Sequence, residues 1–132
     1  MEHIPEEYQD LLKDESRVFM YLATLMTSGD QPQVTPVWFN YDGEYILINS
    51  VRGRVKDANM RANRQVACLL VDPNNPYRFM QIMGTVEEIT EEGAVEHIKD
   101  LALKYRGKRE YDTTGQTRVI YKIRPRRVFA QG

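Results

Sequence analysis

Cysteine, histidine and tryptophan are nearly missing from this sequence, which has one cysteine, two histidines and one tryptophan in 132 residues. The single cysteine, Cys68, excludes an internal disulfide, and its place in the apolar run 66–71 predicts a buried small hydrophobe rather than a reactive thiol. His3 and His97 lie far apart and in no metal-ligand spacing, so we expect no metal site.

The sequence also lacks a long hydrophobic segment and an excess of either charge. No apolar run approaches the ~20 residues that a membrane span needs. The N-terminal stretch MEHIPEEYQD lacks the apolar core of a secretory signal. Lys and Arg total 18 against 19 Asp and Glu, which excludes a generally basic nucleic-acid coat. We therefore expect a cytoplasmic protein with no membrane partner.

Strand-forming segments dominate what is present, and the length fits a single domain over residues 1–132. Strands are predicted at 18–27, 33–41, 44–50, 65–71, 77–89 and 117–130, and short helices at 4–13, 53–63 and 90–105. Six strands joined mostly by hairpins predict a mainly β (α+β) fold, in which an antiparallel sheet closes or nearly closes into a small barrel.

Local signals refine this expectation. Asp42-Gly43 is typical of a two-residue hairpin turn, and residues 72–76 read as an irregular loop. Gly84 predicts a bend in its strand, and Pro125 predicts a bend or an edge position. Thr90 is expected to cap the last helix.

A cationic segment at residues 52–64 contains five Lys or Arg residues and one acid, Asp57. A strand ends there at Asn49-Ser50, and a helix opens with Arg54 and Lys56 in its first turn. Cations at a helix N-terminus oppose the dipole by a few tenths to ~1 kcal/mol, and a bound phosphate would reverse that sign. The segment therefore predicts a phosphate site, with a solvated cationic helix face as the alternative.

The stretch Pro36-Val37-Trp38-Phe39 offers a surface for a planar heteroaromatic ring. Val37 and Trp38 could donate backbone hydrogen bonds to it, whereas Pro36 has no N–H. The alternative is that Trp38 and Phe39 are simply core residues. No nucleophile–base motif is present, so if the chain is an enzyme we expect the reactive atom to belong to a cofactor.

Several segments together resemble the pyridoxamine 5′-phosphate oxidase-like, flavin-binding split β-barrel family, over nearly the whole chain. The matching residues are Gln33-Val34-Thr35-Pro36-Val37-Trp38-Phe39, Ile46-Leu47-Ile48-Asn49-Ser50, Gly53-Arg54-x-Lys56-x-x-Asn59, Val66-Ala67, Asp72-Pro73-x-Asn75-Pro76-Tyr77, Gly84-x-Val86 and Arg118-Val119-Ile120. The likeness is nearer to the short branch that uses FMN or the deazaflavin coenzyme (factor 420).

The resemblance implies a six-stranded split barrel that works as a homodimer with cofactors at the subunit interface. It implies that Arg54 and Lys56 hold the cofactor phosphate beside Asn49 and Ser50. The ring would lie along Pro36, Val37 and Trp38, with Gln33 nearby. The partner subunit would supply Tyr77, Gln81 and Arg118. A matching physical reason for the dimer is the strand at 77–89, which has large apolar side chains on both faces.

We therefore predict an FMN- or deazaflavin-dependent oxidoreductase that transfers a hydride to or from a small organic substrate. No side chain is assigned as acid or base, although Tyr77 or Tyr21 is a candidate proton donor. The alternatives are a flavin carrier or sensor without turnover, and a nucleic-acid-binding module. The second is disfavoured because residues 52–64 contain no aromatic side chain to stack on bases.

Overall fold

The computed structural model describes residues 4–132, which form one curled antiparallel sheet with two α-helices and two 3₁₀ segments. The strands are β1 (Met20–Leu25), β2 (Pro32–Val37), β3 (Phe39–Tyr41), β4 (Ile46–Val51), β5 (Gln65–Asp72), β6 (Asn75–Thr90) and β7 (Arg118–Gln131). The α-helices are α1 (Val55–Ala62) and α2 (Ala94–Arg106), and the 3₁₀ segments are Glu6–Leu12 and Asp14–Ser16.

The two edges of the sheet are consecutive in the chain. The strand order is β2-β1-β5-β6-β7-β4-β3, so β2 and β3 are the edges, and Trp38 alone separates them. Because one residue spans at most ~3.6 Å, the edges must approach each other and the sheet must curl. The predicted mainly β barrel-like fold with short helices is confirmed.

The sheet has seven strands rather than the expected six, because the predicted strand at 33–41 is divided at Trp38. The last turn of α2 occupies this break. Tyr105 stacks on the Trp38 ring, and its hydroxyl accepts a hydrogen bond from the Phe39 N–H at 3.3 Å. At the break, the Tyr105 side chain, which is distant in sequence, thus replaces a neighbouring strand as the hydrogen-bond partner of Phe39.

Alternate residues of the strands fill the barrel interior. Among the fully buried side chains are Met20, Leu22, Phe39, Ile46, Ile48, Leu70, Met80, Ile82 and Tyr121. Cys68 is buried with them, and burial raises the pKa of its thiol to about 12, which makes it unreactive, as predicted.

The pairing of β6 with β7 is irregular at the position where a bend of β6 is predicted. The register shifts between Met83 and Gly84, and Gly84 lies opposite Pro125. A Cβ atom on Gly84 would lie 2.6 Å from Cγ2 of Ile123, so the close approach requires glycine. Pro125 lies beyond Ile123, where the pairing of β7 with β4 ends, so its missing N–H costs no bond on that side.

Three local predictions are wrong. The expected two-residue turn at Asp42-Gly43 is a four-residue connection, because Tyr41 pairs with Ile46. Thr90 belongs to β6, and its hydroxyl accepts the Glu92 N–H, while α2 begins at Ala94 after Gly93 in a left-handed conformation. The expected loop at 72–76 is a tight connection between β5 and β6, because the Asp72 carboxylate accepts the Asn74 N–H at 2.8 Å and closes the turn.

Neither α-helix in residues 4–132 has the length and apolar character needed to cross a membrane. Within the same residues, no group of three His, Cys, Asp or Glu side chains could hold a metal ion. His3, which entered the prediction of no metal site, lies outside the described residues.

Candidate functional site

A cleft of about 340 Å³ lies beside the break between β2 and β3, bounded by the end of β4, the start of α1 and one side of α2. Eight of the residues singled out in the sequence line it: Pro36, Val37, Trp38, Asn49, Ser50, Arg54, Lys56 and Arg118. Phe19, Ile98, Leu101, Arg106 and Tyr111 complete its lining. We call it the cationic cleft.

The lining of the cationic cleft is positively charged. Its lining includes Arg54, Lys56, Arg106 and Arg118 but no carboxylate, and none of the four forms an ion pair within residues 4–132. Burial, and then the charge of Arg54, lower the pKa of Lys56. Burial lowers the pKa of Arg118, and Arg54 adds to the effect. An anion bound here would relieve this repulsion.

Ser50 adds an unused polar group to the same cleft. The residue is only 2% exposed, and its Oγ has no hydrogen-bond partner among the described residues. A buried hydroxyl without a partner costs about 1–3 kcal/mol. Its place in the lining, beside the cations, makes it a ready donor to a ligand oxygen.

The start of α1 presents backbone donors at the cleft. Arg54 is the N-cap, and no side chain of residues 4–132 caps the helix, whose first N–H groups lack intrahelical partners. Gly53 turns the chain with a φ of 95°, a conformation that suits glycine, and its N–H donates to the buried carboxylate of Asp57 at 2.9 Å. This contact fixes the turn from which Arg54 and Lys56 project.

The Asp57 carboxylate does not neutralise the cleft, because it is already engaged elsewhere. It also accepts hydrogen bonds from Arg61 and from the Tyr121 hydroxyl. Burial alone would raise the pKa of Asp57, but these bonds outweigh burial and hold its pKa below the ordinary value. Its charge is thus balanced within its own cluster.

Aromatic rings form one wall of the cleft. Trp38 is half-buried and stacks on Tyr105 with ring centres 5.2 Å apart and an interplanar angle of 12°. Tyr111 meets the Trp38 ring edge-on at 6.0 Å. Phe39, in contrast, is fully buried, so the core alternative holds for Phe39 but not for Trp38. β2 is an edge strand, which leaves part of its backbone unpaired in the sheet.

Three of the predicted site residues do not line this cleft. Gln33 is half-buried on β2 opposite Thr24, Tyr77 is 79% exposed at the start of β6, and Gln81 lies on the outer face of β6. Arg118, which the resemblance assigns to a partner subunit, lies at the cleft of its own chain. Arg118 is 4% exposed, its Nε donates to Oδ1 of Asn49 at 2.9 Å, and it lines the cleft of its own chain.

Arg106 and Tyr111 were not predicted from the sequence. Lysines and arginines around residue 106 are typical of a helix C-terminus, and residues 111–116 read as a polar loop. The one local signal is the alternation of cations with an aromatic residue between Arg106 and Arg118. Only the packing of α2 against the barrel brings these side chains to the cleft.

A second, larger cleft of about 860 Å³ lies between the N-terminal 3₁₀ segments and the hairpin of β3 and β4. Its lining mixes Asp14, Glu15 and Glu44 with Lys13 and Arg124. This cleft therefore carries charges of both signs, and among residues 4–132 no buried polar atom without a partner lies in its lining. The cationic cleft is therefore the stronger candidate site.

Comparison with known proteins agrees with this geometry. The family model described as pyridoxamine 5′-phosphate oxidase matches residues 4–132. The chain belongs to this family. Pyridoxamine 5′-phosphate oxidase gives the family its name, so at this coarse level the chain is related to oxidoreductases. Among curated proteins, none matches the chain.

Solved structures extend the pyridoxamine 5′-phosphate oxidase likeness. The chain is 34% identical to an F420 reductase, with a TM-score of 0.85 over 96% of this chain and 98% of that one. A conserved hypothetical protein of Mycobacterium tuberculosis is 25% identical, with a TM-score of 0.76 over 98% of this chain and 85% of that one. HupZ of Group A Streptococcus, at 24% identity and a TM-score of 0.69 over 97% and 94% of the chains, shares the fold.

Proposed function

We propose that the cationic cleft binds the phosphate of a flavin or deazaflavin cofactor and that the protein is an oxidoreductase. The observation that carries the proposal is the group of four cations, with no carboxylate among the described lining residues, beside the Ser50 hydroxyl, which has no partner in residues 4–132. Arg54 and Lys56 would hold the phosphate from the start of α1, where free N–H groups and the helix dipole also favour an anion. Charge-assisted hydrogen bonds of this kind are the strong ones.

The ring of the cofactor would extend from the phosphate along Pro36, Val37 and Trp38. The unpaired backbone of the β2 edge could donate hydrogen bonds to the ring, and Trp38 is held in place by its stacking on Tyr105. FMN and the deazaflavin coenzyme share a ribityl phosphate, so this anchor suits both. The likeness to an F420 reductase supports the deazaflavin.

A bound cofactor of this type would supply the hydride chemistry. The residues of the chain would bind its phosphate, orient its ring through the β2 edge, and exclude water with Phe19, Trp38 and Tyr111. The substrate would be a small organic molecule.

A second copy of this chain would complete the site. A row of cross-strand neighbours, which we call the apolar row, crosses the outer face of the barrel. Its order is Pro36, Tyr21, Leu69, Gln81, Phe129. Next to it lie exposed Val34 and Met83, and the exposed fractions of Tyr21, Val34, Met83 and Phe129 are 42%, 65%, 47% and 56%. Contiguous apolar surface of this kind is typical of an interface.

The apolar row is continuous with the cationic cleft. Pro36 belongs to both, and Phe19, which is 49% exposed, lies beside Tyr21 at the mouth of the cleft. A copy packed on this row would cover that mouth, and Tyr77 and Gln81 of the second copy are then the candidates to contact the ring. The cleft volume of about 340 Å³ is near the lower end of ligand pockets, which agrees with a site that needs a second chain.

Titration of the purified protein with FMN and, separately, with the deazaflavin coenzyme tests the proposal. Absorbance changes and calorimetry should give saturable binding of at least one, and inorganic phosphate should compete. Binding of neither would overturn the cofactor assignment. Reduced cofactor is then offered with candidate acceptors, and tight binding without turnover of any would favour a carrier or sensor. Location in the cytoplasm stays a prediction from the sequence.

A further inference from the structure

His97 lies between two side-chain amides that come from different strands. Its Nε2 is 2.7 Å from Oδ1 of Asn40 on β3, and its Nδ1 is 3.0 Å from Nδ2 of Asn49 on β4. An amide oxygen only accepts, so Nε2 carries the hydrogen, and in a neutral ring Nδ1 is then an acceptor. Burial lowers the pKa of His97 to about 4, which agrees with a neutral ring.

These contacts fix the orientation of the Asn49 amide. Nδ2 of Asn49 donates one hydrogen to the Ala94 carbonyl at 2.9 Å and the other to Nδ1 of His97. A rotated amide would set its oxygen against two acceptors. Only one orientation satisfies both neighbours, and it directs Oδ1 of Asn49 toward Nε of Arg118 at 2.9 Å.

The guanidinium of Arg118 is therefore held by neutral groups. Besides Asn49, it donates from Nη1 to Oε1 of Gln116 at 3.0 Å, and its guanidinium carbon lies 5.1 Å from the centre of the Tyr111 ring. No carboxylate within residues 4–132 forms an ion pair with it, although it is 4% exposed. Such an arrangement keeps a buried charge available to a ligand in the cleft.

We propose that His97 is a positioning residue for the cationic cleft, because it fixes the Asn49 amide that in turn orients the guanidinium of Arg118 toward a bound anion. The identity of the ligand in this inference rests on the proposed function. The hydrogen bonds that join His97, Asn49 and Arg118 do not depend on it. His97 is not in the cleft lining, so its action on a ligand is through Asn49 and Arg118.

A pair of substitutions separates positioning from simple packing. His97→Leu fills similar space but makes neither hydrogen bond, whereas His97→Gln offers a donor to Asn40 and an acceptor to Asn49. We expect His97→Leu to weaken cofactor binding about tenfold. His97→Gln should stay within about threefold of the parent. Urea unfolding of each variant should show that both variants are folded under the conditions of the binding measurement.

A double-mutant cycle shows whether the effect passes through Arg118. In an Arg118→Leu background, which has already lost the guanidinium, His97→Leu should change cofactor affinity by less than about twofold. An equal tenfold loss in both backgrounds would overturn the proposal, as would parent-like binding by His97→Leu alone.

A cofactor-free measurement keeps the inference testable if the proposed function fails. ¹H–¹⁵N spectra of the ligand-free protein should show a protonated Nε2 and an unprotonated Nδ1 on His97, and an Arg118 Nε–H that exchanges slowly with water. The slow exchange should be lost in His97→Leu and kept in His97→Gln. Binding of neither cofactor by the parent would refute the proposed function only, whereas an unchanged Arg118 signal in His97→Leu would refute the positioning role.

Discussion

The guanidinium carbon of Arg106 lies 4.8 Å from the centre of the Trp38 ring, so a cation at the end of α2 covers the aromatic wall of the cleft. Arg106 has no ion-pair partner within residues 4–132. Arg106→Gln keeps much of the packing but removes the charge, and we expect about 0.5–1 kcal/mol less cofactor affinity. Calorimetry would measure it. Lys108→Gln, an exposed cation just beyond α2, is the control and should bind as the parent does.

Loss of either cation at the start of α1 should weaken cofactor binding more strongly. Arg54→Ala and Lys56→Ala each remove a charged donor, and we expect a loss of about 1–3 kcal/mol in binding free energy with little change in unfolding free energy. Arg52→Ala is a matched control, since Arg52 belongs to the same cationic segment but pairs with Glu91 at 2.7 Å outside the cleft lining. Parent-like affinity in both test variants would contradict the phosphate site.

Ser50→Ala should separate binding from stability. The hydroxyl has no partner in the described residues, so its removal should leave the unfolding free energy unchanged or slightly raised. Cofactor affinity should fall by about 1 kcal/mol, because a donor to the ligand is lost. Thermal melts with and without cofactor measure both effects, and Ser50→Thr, which keeps the hydroxyl, serves as the control. A destabilised apo protein would show that Ser50 has a structural role instead.

A charge placed on the apolar row should prevent pairing of two chains. Phe129→Glu should yield a monomer in sedimentation experiments, and its cofactor affinity should fall because the cleft mouth is left open. Leu103→Glu changes a similarly exposed apolar residue, 48% against 56%, on α2 away from the row. It should remain a dimer; equal behaviour of the two variants would refute the interface. We expect the parent dimer to bury more than ~2,000 Å² in total.

His97 should make stability depend on pH between its two pKa values. Burial, and the charge of Arg118 from β7, lower its pKa from 6.5 to about 4, against the opposing effect of Asp100 on its own helix. Between these values the unfolded chain binds a proton that the folded chain does not. The unfolding free energy should therefore have its maximum value above pH 6.5 and fall by up to about 3 kcal/mol as the pH drops to 4. Urea titrations of His97→Gln should show a shallower decline.

Local sequence patterns predicted the half of the site that a short stretch of chain builds. Asn49, Ser50, Arg54 and Lys56 come together because a strand ends and a helix begins within a few residues, and a dipole argument applies to the cations directly. The barrel itself followed from strand count and hairpin signals. The division at Trp38 did not, because it depends on Tyr105, which contacts Phe39 from the distant α2.

The other half of the site depends on contacts between elements far apart in sequence. Arg106, Tyr111 and His97 reach the region of the cleft only because α2 packs over β4 and β7, and no local pattern records that packing. Arg118 was singled out from its motif but assigned to a partner. Its place at the cleft of its own chain depends on the pairing of β7 with β4, in which Arg118 lies opposite Val51.

The break between the two sheet edges has a spectroscopic consequence. Its single residue, Trp38, is also the only tryptophan of the protein. All indole emission of the molecule therefore originates at one point, beside the four cations, and a ligand that absorbs near that emission would quench it by energy transfer. Trp38 is therefore an intrinsic fluorescence probe of the cleft. Ligand occupancy could be followed in the unmodified protein at concentrations too low for calorimetry.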